Sequence, residues 1–314
     1  MPRGLWPPDW NIPLERRRGR TPITGKAPRD GALAGASRMG KKRCYVLDMD
    51  GTIYLGSLPI PGAVDFIRRH WEEVDFYFLS NNTSKSPSAY VAKLNGMGIA
   101  ATPDRLLSPV TPLVDFLRRE GIASAYLVGN TEFRGQMREV MPELRQAGDD
   151  GPAEAVILAY DTELTYAKLA RSALLLQDPE VRFFATHPDL VCPSPEGPLP
   201  DVGSMLGLYR IATGREPERI FGKPDPVLLA PLLQRYDRDA MLMVGDRLST
   251  DKKLAENAGI DFLLVLSGEA RRGDLDGLER QPAYVCEDLG GFERYLAPAP
   301  RRAGPPLSGG IETN

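Results

Sequence analysis

The sequence is poor in the residues that build zinc sites and disulfide frameworks. It has two histidines, His70 and His187, and three widely spaced cysteines, Cys44, Cys192 and Cys286. Two histidines argue against a multi-histidine zinc site and a serine–histidine triad, and an odd number of separated cysteines argues against a disulfide framework. This cysteine usage predicts a reducing, cytoplasmic setting. Catalytic chemistry is therefore expected to rest on carboxylates, lysine and hydroxyl groups.

Long apolar runs are also absent. No stretch approaches the roughly 18 apolar residues that a membrane-spanning helix needs, so the sequence predicts no membrane partner. Charge is unevenly distributed, because residues 1–43 carry eleven Lys and Arg against three acidic residues, although the net charge of the chain is −3. The rest of the chain is therefore acidic. This argues against a nucleic-acid partner, since a phosphate backbone attracts a basic surface.

Both ends of the sequence have the composition of unstructured segments. Residues 1–38 are rich in Pro, Gly and Arg without apolar periodicity, and residues 298–314 are similar. We expect both to be disordered tails. Met39 lies just before the first strand-like run, which raises it as an alternative start of the chain, and a dispensable tail is the favoured interpretation. A targeting or nucleic-acid-binding arm is the alternative.

Between these ends, short β-type runs alternate with helical patterns, which predicts an α/β fold with a parallel sheet. A length of 314 residues suits one core with a smaller companion domain. Strands are predicted at 44–48, 76–80, 125–128, 155–159, 181–185, 241–244 and 262–266. Helices are predicted at 63–73, 88–97, 112–120, 166–177, 205–213, 226–236 and 250–258.

The strongest local pattern is DMDGT at 48–52, directly after a buried-type strand. Side chains two apart on a strand share a face, and ligands of open α/β sheets bind beyond the carboxyl ends of the strands. Asp48 and Asp50 are therefore expected at the mouth of a cleft, where a cation or a functional need offsets their repulsion. Gly51 permits a tight turn against a phosphate. An Asx-rich turn or the metal loop of another enzyme class is the alternative.

Two further segments offer groups that could bind phosphate. The run SNNTSK at 80–85 follows an apolar strand and could supply a hydroxyl group and backbone N–H donors, although such runs are more often turns or helix caps. Lys223 stands between Gly222 and Pro224 just before a predicted helix. A fixed ammonium can neutralise phosphate charge, whereas a lone lysine in a turn is usually solvated.

A third acidic segment, GDRLSTD at 245–251, follows another buried-type strand. Asp246 at the strand end would supply a carboxylate to Mg²⁺, which takes oxygen ligands and keeps several waters. Asp251 falls in the first turn of the next predicted helix. It could support the metal or could simply be an acidic residue favoured by the helix dipole.

Together these segments resemble the haloacid dehalogenase (HAD) superfamily. The spellings FLSNNTSKS, FGKPDP and GDRLSTD, with ATHPDLVCPSPEGPLPDVGSM at 185–205, resemble subfamily IIA, the NagD-like and 4-nitrophenylphosphatase group, over roughly residues 43–295. The resemblance implies a Rossmann-like parallel-sheet core, at 39–87 and 217–297, with an inserted α/β cap of type C2 at 88–216. Departures are His187, where Asn is commoner, and Ser249, where Asp is common.

The resemblance also implies roles for the matching residues. Asp48 would be the nucleophile and Asp50 the general acid and base. Ser80 and the backbone of Asn81 would bind phosphate, and Lys223 would stabilise the phosphoryl group.

The implied cofactor is Mg²⁺. Its ligands would be Asp48, the carbonyl oxygen of Asp50 and Asp246, with Asp251 in a supporting position.

Substrate choice is predicted to lie in the cap. The Pro- and Gly-rich loop at 186–205 would present His187, Asp189, Asp201 and Ser204 over the cleft, since loops on rigid scaffolds often carry specificity. A plain surface connection is the alternative.

The predicted function is a phosphoric monoester hydrolase acting on a small phosphorylated metabolite through an aspartyl phosphate. Phosphoglycolate, nucleoside monophosphates, pyridoxal phosphate and sugar or polyol phosphates all suit the resemblance, as does a homodimer formed through the cap. A phosphotransferase or mutase of the same superfamily is the first alternative. A non-catalytic binding protein is the second, and it should lack at least one of the site residues, all of which are present.

Overall fold

The computed structural model describes residues 42–148, 150–194 and 196–296. The predicted tails at 1–38 and 298–314 lie outside the described residues. Within the described ranges, no helix combines the length and apolar character that a membrane span requires.

The strands are short and are numbered here in chain order. They are β1 (Cys44–Asp48), β2 (Tyr54–Leu55), β3 (Leu58–Pro59), β4 (Asp75–Leu79), β5 (Leu106–Leu107), β6 (Ser124–Val128), β7 (Arg145–Gln146), β8 (Ala155–Leu158), β9 (Arg182–Ala185), β10 (Val191–Cys192), β11 (Leu199–Pro200), β12 (Arg219–Ile220), β13 (Met241–Gly245), β14 (Asp261–Val265) and β15 (Tyr284–Cys286).

The α-helices lie between the strands. They are α1 (Pro61–Arg69), α2 (Pro87–Gly96), α3 (Val110–Glu120), α4 (Thr131–Val140), α5 (Tyr166–Leu175), α6 (Val202–Thr213), α7 (Ala230–Leu233), α8 (Lys253–Ala258) and α9 (Glu293–Leu296). Single 3₁₀ turns are Pro103–Arg105, Pro226–Leu229, Arg238–Ala240, Arg272–Leu275 and Leu289–Phe292, and Leu248–Lys252 is a π-helical turn.

Six parallel strands form one sheet, the core sheet, in the order β15-β14-β13-β1-β4-β5. Alternate residues of β1 belong to different apolar clusters, Tyr45 and Leu47 to one and Cys44 and Val46 to the other, so both faces of the sheet are covered. The register pairs Asp48 with the last residue of β4. The polar segments after β1, β4 and β13 therefore meet at one edge.

Five other parallel strands form a second sheet, the cap sheet, in the order β12-β9-β8-β6-β7. It is inserted in the chain between β5 and β13 and packs its own two apolar clusters. Two antiparallel hairpins, β2-β3 and β10-β11, complete the fold. The predicted α/β class, a parallel-sheet core with an inserted α/β cap, is confirmed.

The details differ from the pattern-based prediction at several elements. β5 joins the core sheet, so residues 106–107 belong there rather than with the predicted cap range of 88–216. Helix α4 was missed because TEFRGQMREV contains few apolar residues; it begins at a cap in which the Asn130 side chain accepts the N–H of Phe133 at 3.0 Å. The predicted helices at 226–236 and 250–258 are each divided into a tight or widened turn and a short α-helix.

Candidate active site

A buried lysine connects two carboxylates at the end of β1. The ammonium of Lys223 donates to Asp48 Oδ1 and, at 2.7 Å, to Asp251 Oδ1. Asp48 is 8% exposed and Lys223 3% exposed, so water screens these charges little. The other oxygen of Asp251 accepts the backbone N–H of Arg247 at 3.1 Å. Asp251 is therefore fixed in direct contact with the lysine.

Asp246 completes an acidic cluster beside this pair. One of its oxygens accepts the N–H of Glu269 at 2.7 Å, whereas its Oδ1 is buried without a hydrogen-bond partner. Asp48, Asp246 and Asp251 each place an oxygen within 4.8 Å of the others. Three buried carboxylates with one unsatisfied oxygen are the ligand type that a hard divalent cation takes, so these residues fit a bound Mg²⁺.

The electrostatics of the cluster follow from burial. Burial raises the pKa of Asp48 to about 6, although Lys223 opposes this, and burial with the neighbouring Asp251 raises the pKa of Asp246 to about 6. Burial works against the charge of Lys223, yet the carboxylates of Asp251 and Asp48 raise its pKa above the usual value. The lysine is therefore an ammonium at neutral pH, and the carboxyl groups of Asp48 and Asp246 ionise less readily than free ones.

Two glycines leave room for the acidic cluster. Gly51 has a φ of +87°, and a Cβ there would lie 2.4 Å from Asp246 Oδ2. A Cβ at Gly268 would lie 2.0 Å from the same oxygen. The turn is fastened from the other side, because the Ser267 hydroxyl donates to the Gly51 carbonyl at 2.7 Å. A larger residue at either glycine would displace the carboxylate.

Asp50 lies beyond the end of β1, in the turn that leads to the β2-β3 hairpin, and its side chain reaches solvent. The protein around it raises its pKa, with Lys93 and the Gly56 N–H opposing the rise. Lys93, on α2, donates to the Gly56 carbonyl at 2.7 Å and lies 3.2 Å from the centroid of the Tyr54 ring. A cation from α2 therefore holds the hairpin beside Asp50.

The segment after β4, residues 80–85, fixes the backbone of residues 221–226, the lysine loop around Lys223. The Asn81 side chain accepts the Lys223 N–H at 2.7 Å and donates to the Lys223 carbonyl at 3.2 Å. Ser80 Oγ accepts the N–H of Asn82 at 3.1 Å. The family resemblance implied a role for the Asn81 backbone, and the structure adds a positioning function for its side chain.

With this geometry established, comparison with known proteins identifies the family. A haloacid dehalogenase-like hydrolase model matches residues 45–141, and a HAD-hydrolase-like model matches residues 220–292. The acid sugar phosphatase of Staphylococcus haemolyticus is 31% identical over 251 residues, which are 78% of this chain and 93% of that protein. The chain belongs to the haloacid dehalogenase-like hydrolases. The predicted membership of subfamily IIA, the NagD-like and 4-nitrophenylphosphatase group of phosphatases, is confirmed.

Solved structures of similar proteins agree with this assignment. The 4-nitrophenylphosphatase of Thermotoga maritima superposes with a TM-score of 0.75 at 35% identity, covering 82% of this chain and 98% of that one. A glycerol phosphate phosphatase of Mycobacterium tuberculosis, solved with magnesium, superposes with a TM-score of 0.71 at 30% identity, covering 82% of this chain and 77% of that one.

Of the four cap residues predicted to set specificity, Asp189 hydrogen-bonds to the core. The Asn81 amide donates to both oxygens of Asp189 at 3.1 and 3.2 Å, and Arg247 lies 3.6 Å from Asp189 Oδ2. Sequence reasoning did not select Arg247, although its position between the predicted site residues Asp246 and Asp251 could have indicated that it lies at the site. Nothing in the local pattern points to Lys93, which reaches the hairpin only through the packing of α2.

The other predicted cap residues lie deeper in the hydrolase. His187 is fully buried, and burial lowers its pKa to about 4. Asp201 is 3% exposed and accepts the N–H of Val202 at 2.7 Å, at the start of α6. The Ser204 hydroxyl donates to the Leu190 carbonyl at 2.6 Å. Among these four residues, Asp189 makes the hydrogen bonds to Asn81, and His187 packs against the backbone of Gly222, where an added Cβ would lie 2.5 Å from His187 Cβ. The role of the four residues in specificity stays a prediction.

Proposed function

We propose that this hydrolase cleaves a small-molecule phosphate monoester by way of an aspartyl phosphate on Asp48, with Mg²⁺ as cofactor. The observation that carries the proposal is the buried arrangement of Lys223 against Asp48 and Asp251, beside an Asp246 oxygen that has no partner. A phosphate dianion needs positive charge where it meets a carboxylate, and this site supplies it.

The cofactor would be held by Asp48, Asp246 and the backbone carbonyl of Asp50. When bound, Mg²⁺ supplies positive charge that lowers the repulsion between the carboxylate and the phosphate. The fit rests on the unsatisfied Asp246 oxygen and on oxygens of Asp48 and Asp246 lying within 4.8 Å of each other, with Asp251 beside them.

The chain's own residues then divide the work. A carboxylate oxygen of Asp48 attacks phosphorus in line, while the Lys223 ammonium neutralises charge on the phosphoryl oxygens. Ser80 and the backbone at Asn81 orient the phosphate. The Asn81 side chain keeps Lys223 in place through the two backbone bonds described above.

Asp50 is suited to the proton transfers because it lies beyond β1 with a side chain open to solvent, and partial burial raises its pKa. Protonated, it donates to the leaving alkoxide as the P–O ester bond breaks. As a carboxylate, it then accepts a proton from the water that attacks phosphorus and frees Asp48. One residue thus serves both half-reactions.

The mechanism is tested by trapping the intermediate. Full-length protein is mixed with substrate and Mg²⁺, quenched within a single turnover and reduced with borohydride, which converts an aspartyl phosphate to homoserine. We expect homoserine at position 48, and none with Asp48→Asn or without substrate. Steady release of phosphate without any trapped product at Asp48 would contradict a covalent mechanism.

Substrate class is tested by a phosphate-release screen with Mg²⁺. The names of the similar proteins direct attention to sugar phosphates and glycerol phosphate, beside phosphoglycolate, nucleoside monophosphates and pyridoxal phosphate. Added glucose or glycerol that captures the phosphoryl group instead of water would reveal a phosphotransferase.

A further inference from the structure

A second buried cluster lies in the cap, around the hydrolase's only fully buried histidine within the described residues. His187 Nδ1 lies 3.7 Å from Asp189 Oδ2, and its Nε2 lies 3.6 Å from Asp201 Oδ1. These distances are too long for hydrogen bonds, and neither ring nitrogen has a hydrogen-bond partner. One nitrogen and one oxygen from each carboxylate lie within 4.8 Å of one another.

This arrangement is costly without a further cation. The side chains of His187, Asp189 and Asp201 are 0%, 9% and 5% exposed, so solvent offers little compensation. Arg247, 3.6 Å from Asp189, compensates one of the two carboxylates, and it also pairs with Glu269 at 3.1 Å. Asp201 accepts one backbone N–H, and among the residues that the structure describes no basic side chain other than the neutral imidazole lies within ion-pair distance of it. Buried carboxylates and imidazole nitrogens are normally satisfied.

The spacing and chemistry of these donors suit a metal ion. Ligands of a tetrahedral ion with bonds of about 2.1 Å lie about 3.4 Å apart, and one His187 nitrogen with one oxygen of each carboxylate already lie within 4.8 Å of one another, so small side-chain shifts would place them around one ion. A neutral imidazole with two carboxylates is a donor set for the first-row transition ions, whereas Mg²⁺ and Ca²⁺ prefer oxygen alone. We propose that His187, Asp189 and Asp201 bind a divalent transition ion such as Zn²⁺, Mn²⁺ or Co²⁺.

The ion uses one ring nitrogen of His187, and the other nitrogen keeps its proton and faces a carboxylate oxygen, as is common for metal-bound imidazoles. Asp189 is at the same time bonded to Asn81, which holds the Lys223 backbone. The site therefore connects the cap loop at 186–205 to the segment at 80–85 and to the lysine loop. It uses none of the carboxylates assigned to Mg²⁺ and does not depend on the proposed reaction.

Because the whole chain has only two histidines, the site can be observed without any mutation. Full-length protein labelled with ¹⁵N-histidine is titrated with Zn²⁺ in excess Mg²⁺, which occupies the Asp48 site. We expect one His187 nitrogen to take a metal-bound shift at one equivalent of Zn²⁺. His70 is the internal control, because its nitrogens already face Glu73 at 2.6 Å and Glu293 at 3.1 Å, and it should not change.

Variants give an independent measurement by metal analysis after desalting. His187→Asn and Asp201→Asn should each lower Zn²⁺ affinity at least about tenfold, whereas His70→Asn and Asp246→Asn should retain the bound equivalent. Circular dichroism establishes that each variant is folded, and the wild-type titration decides the matter if one is not. The proposal is overturned if saturating Zn²⁺ leaves the His187 signals unchanged, or if both its nitrogens are protonated, since a proton then replaces the ion.

Discussion

Two buried acidic clusters lie on either side of Asn81, and they are compensated differently. In the core, Asp48 and Asp251 share the Lys223 ammonium through hydrogen bonds. In the cap, the imidazole of His187 faces two carboxylates without bonding to either. In the core cluster, the Lys223 side chain therefore supplies part of the compensating positive charge. In the cap cluster, we propose that a bound metal ion supplies it.

The difference has a physical origin in the basic side chain that each cluster holds, Lys223 in the core and His187 in the cap. A lysine between two carboxylates keeps its proton, so the carboxylates raise its pKa. A buried imidazole loses its proton more easily, and burial lowers the pKa of His187 to about 4. Substituting Lys223 and substituting His187 should therefore have unequal effects on chemistry and on stability.

The largest effect is expected at the nucleophile. By the proposed mechanism, Asp48→Asn removes the attacking oxygen and a metal ligand together, so kcat on 4-nitrophenyl phosphate should fall by at least about 10³-fold while the protein folds normally. Circular dichroism melts provide the control. Substantial turnover by the folded variant would show that the core cluster is not the chemical centre.

The next largest effect is expected at the core cation. Lys223→Met leaves two buried carboxylates without their partner, so kcat should fall about 10²-fold and the free energy of unfolding by about 3–5 kcal/mol. Lys253→Met, at a lysine whose side chain is 56% exposed, is the matched control and should change neither quantity much.

Adding Asp251→Asn to Lys223→Met should restore part of the stability, because one uncompensated charge is removed. Equal stability of the single and double variants would show that Lys223 does not act by compensating Asp251.

A smaller effect is expected in the pH dependence of stability without metal. Burial raises the pKa of Asp246 from 3.8 to about 6, so the folded protein binds more protons than the unfolded chain between these values. Its ionisation therefore lowers the free energy of unfolding as the pH rises towards 6, and the loss persists above it. In EDTA, Asp246→Asn should gain stability over the wild type at pH 7 and less at pH 5, measured by urea unfolding. Saturating Mg²⁺ should reverse the difference at pH 7, and a gain that is independent of pH would contradict this charge argument.

The smallest effect concerns Lys93, which belongs to neither cluster. Lys93→Met removes the bond to the Gly56 carbonyl and the contact with Tyr54, so kcat should fall about tenfold through poorer placement of Asp50, with KM nearly unchanged. Lys93→Arg should recover much of the loss. A reduced melting temperature with an unchanged kcat would show instead that the lysine only stabilises the hairpin.

Local patterns located the ends of β1, β4 and β13, because a buried apolar run that stops at a polar residue is visible in the sequence itself. They did not reveal β5 or β12, since edge strands of two residues carry too little periodicity. They placed Asp251 only in a helical turn, whereas the structure places it against Lys223.

The sequence by itself determined the α/β class, the family and the residues Asp48, Lys223 and Asp246 as a chemical set, because strand periodicity and motif spelling are properties of neighbouring residues. Only the tertiary structure decided which groups meet across the chain. Asn81 reaches a backbone 142 positions away, and the buried cap cluster forms only when the loop at 186–205 packs on the core. Such contacts depend on the order of the strands and on which polar groups are buried away from water. Neither can be determined from a short segment of sequence.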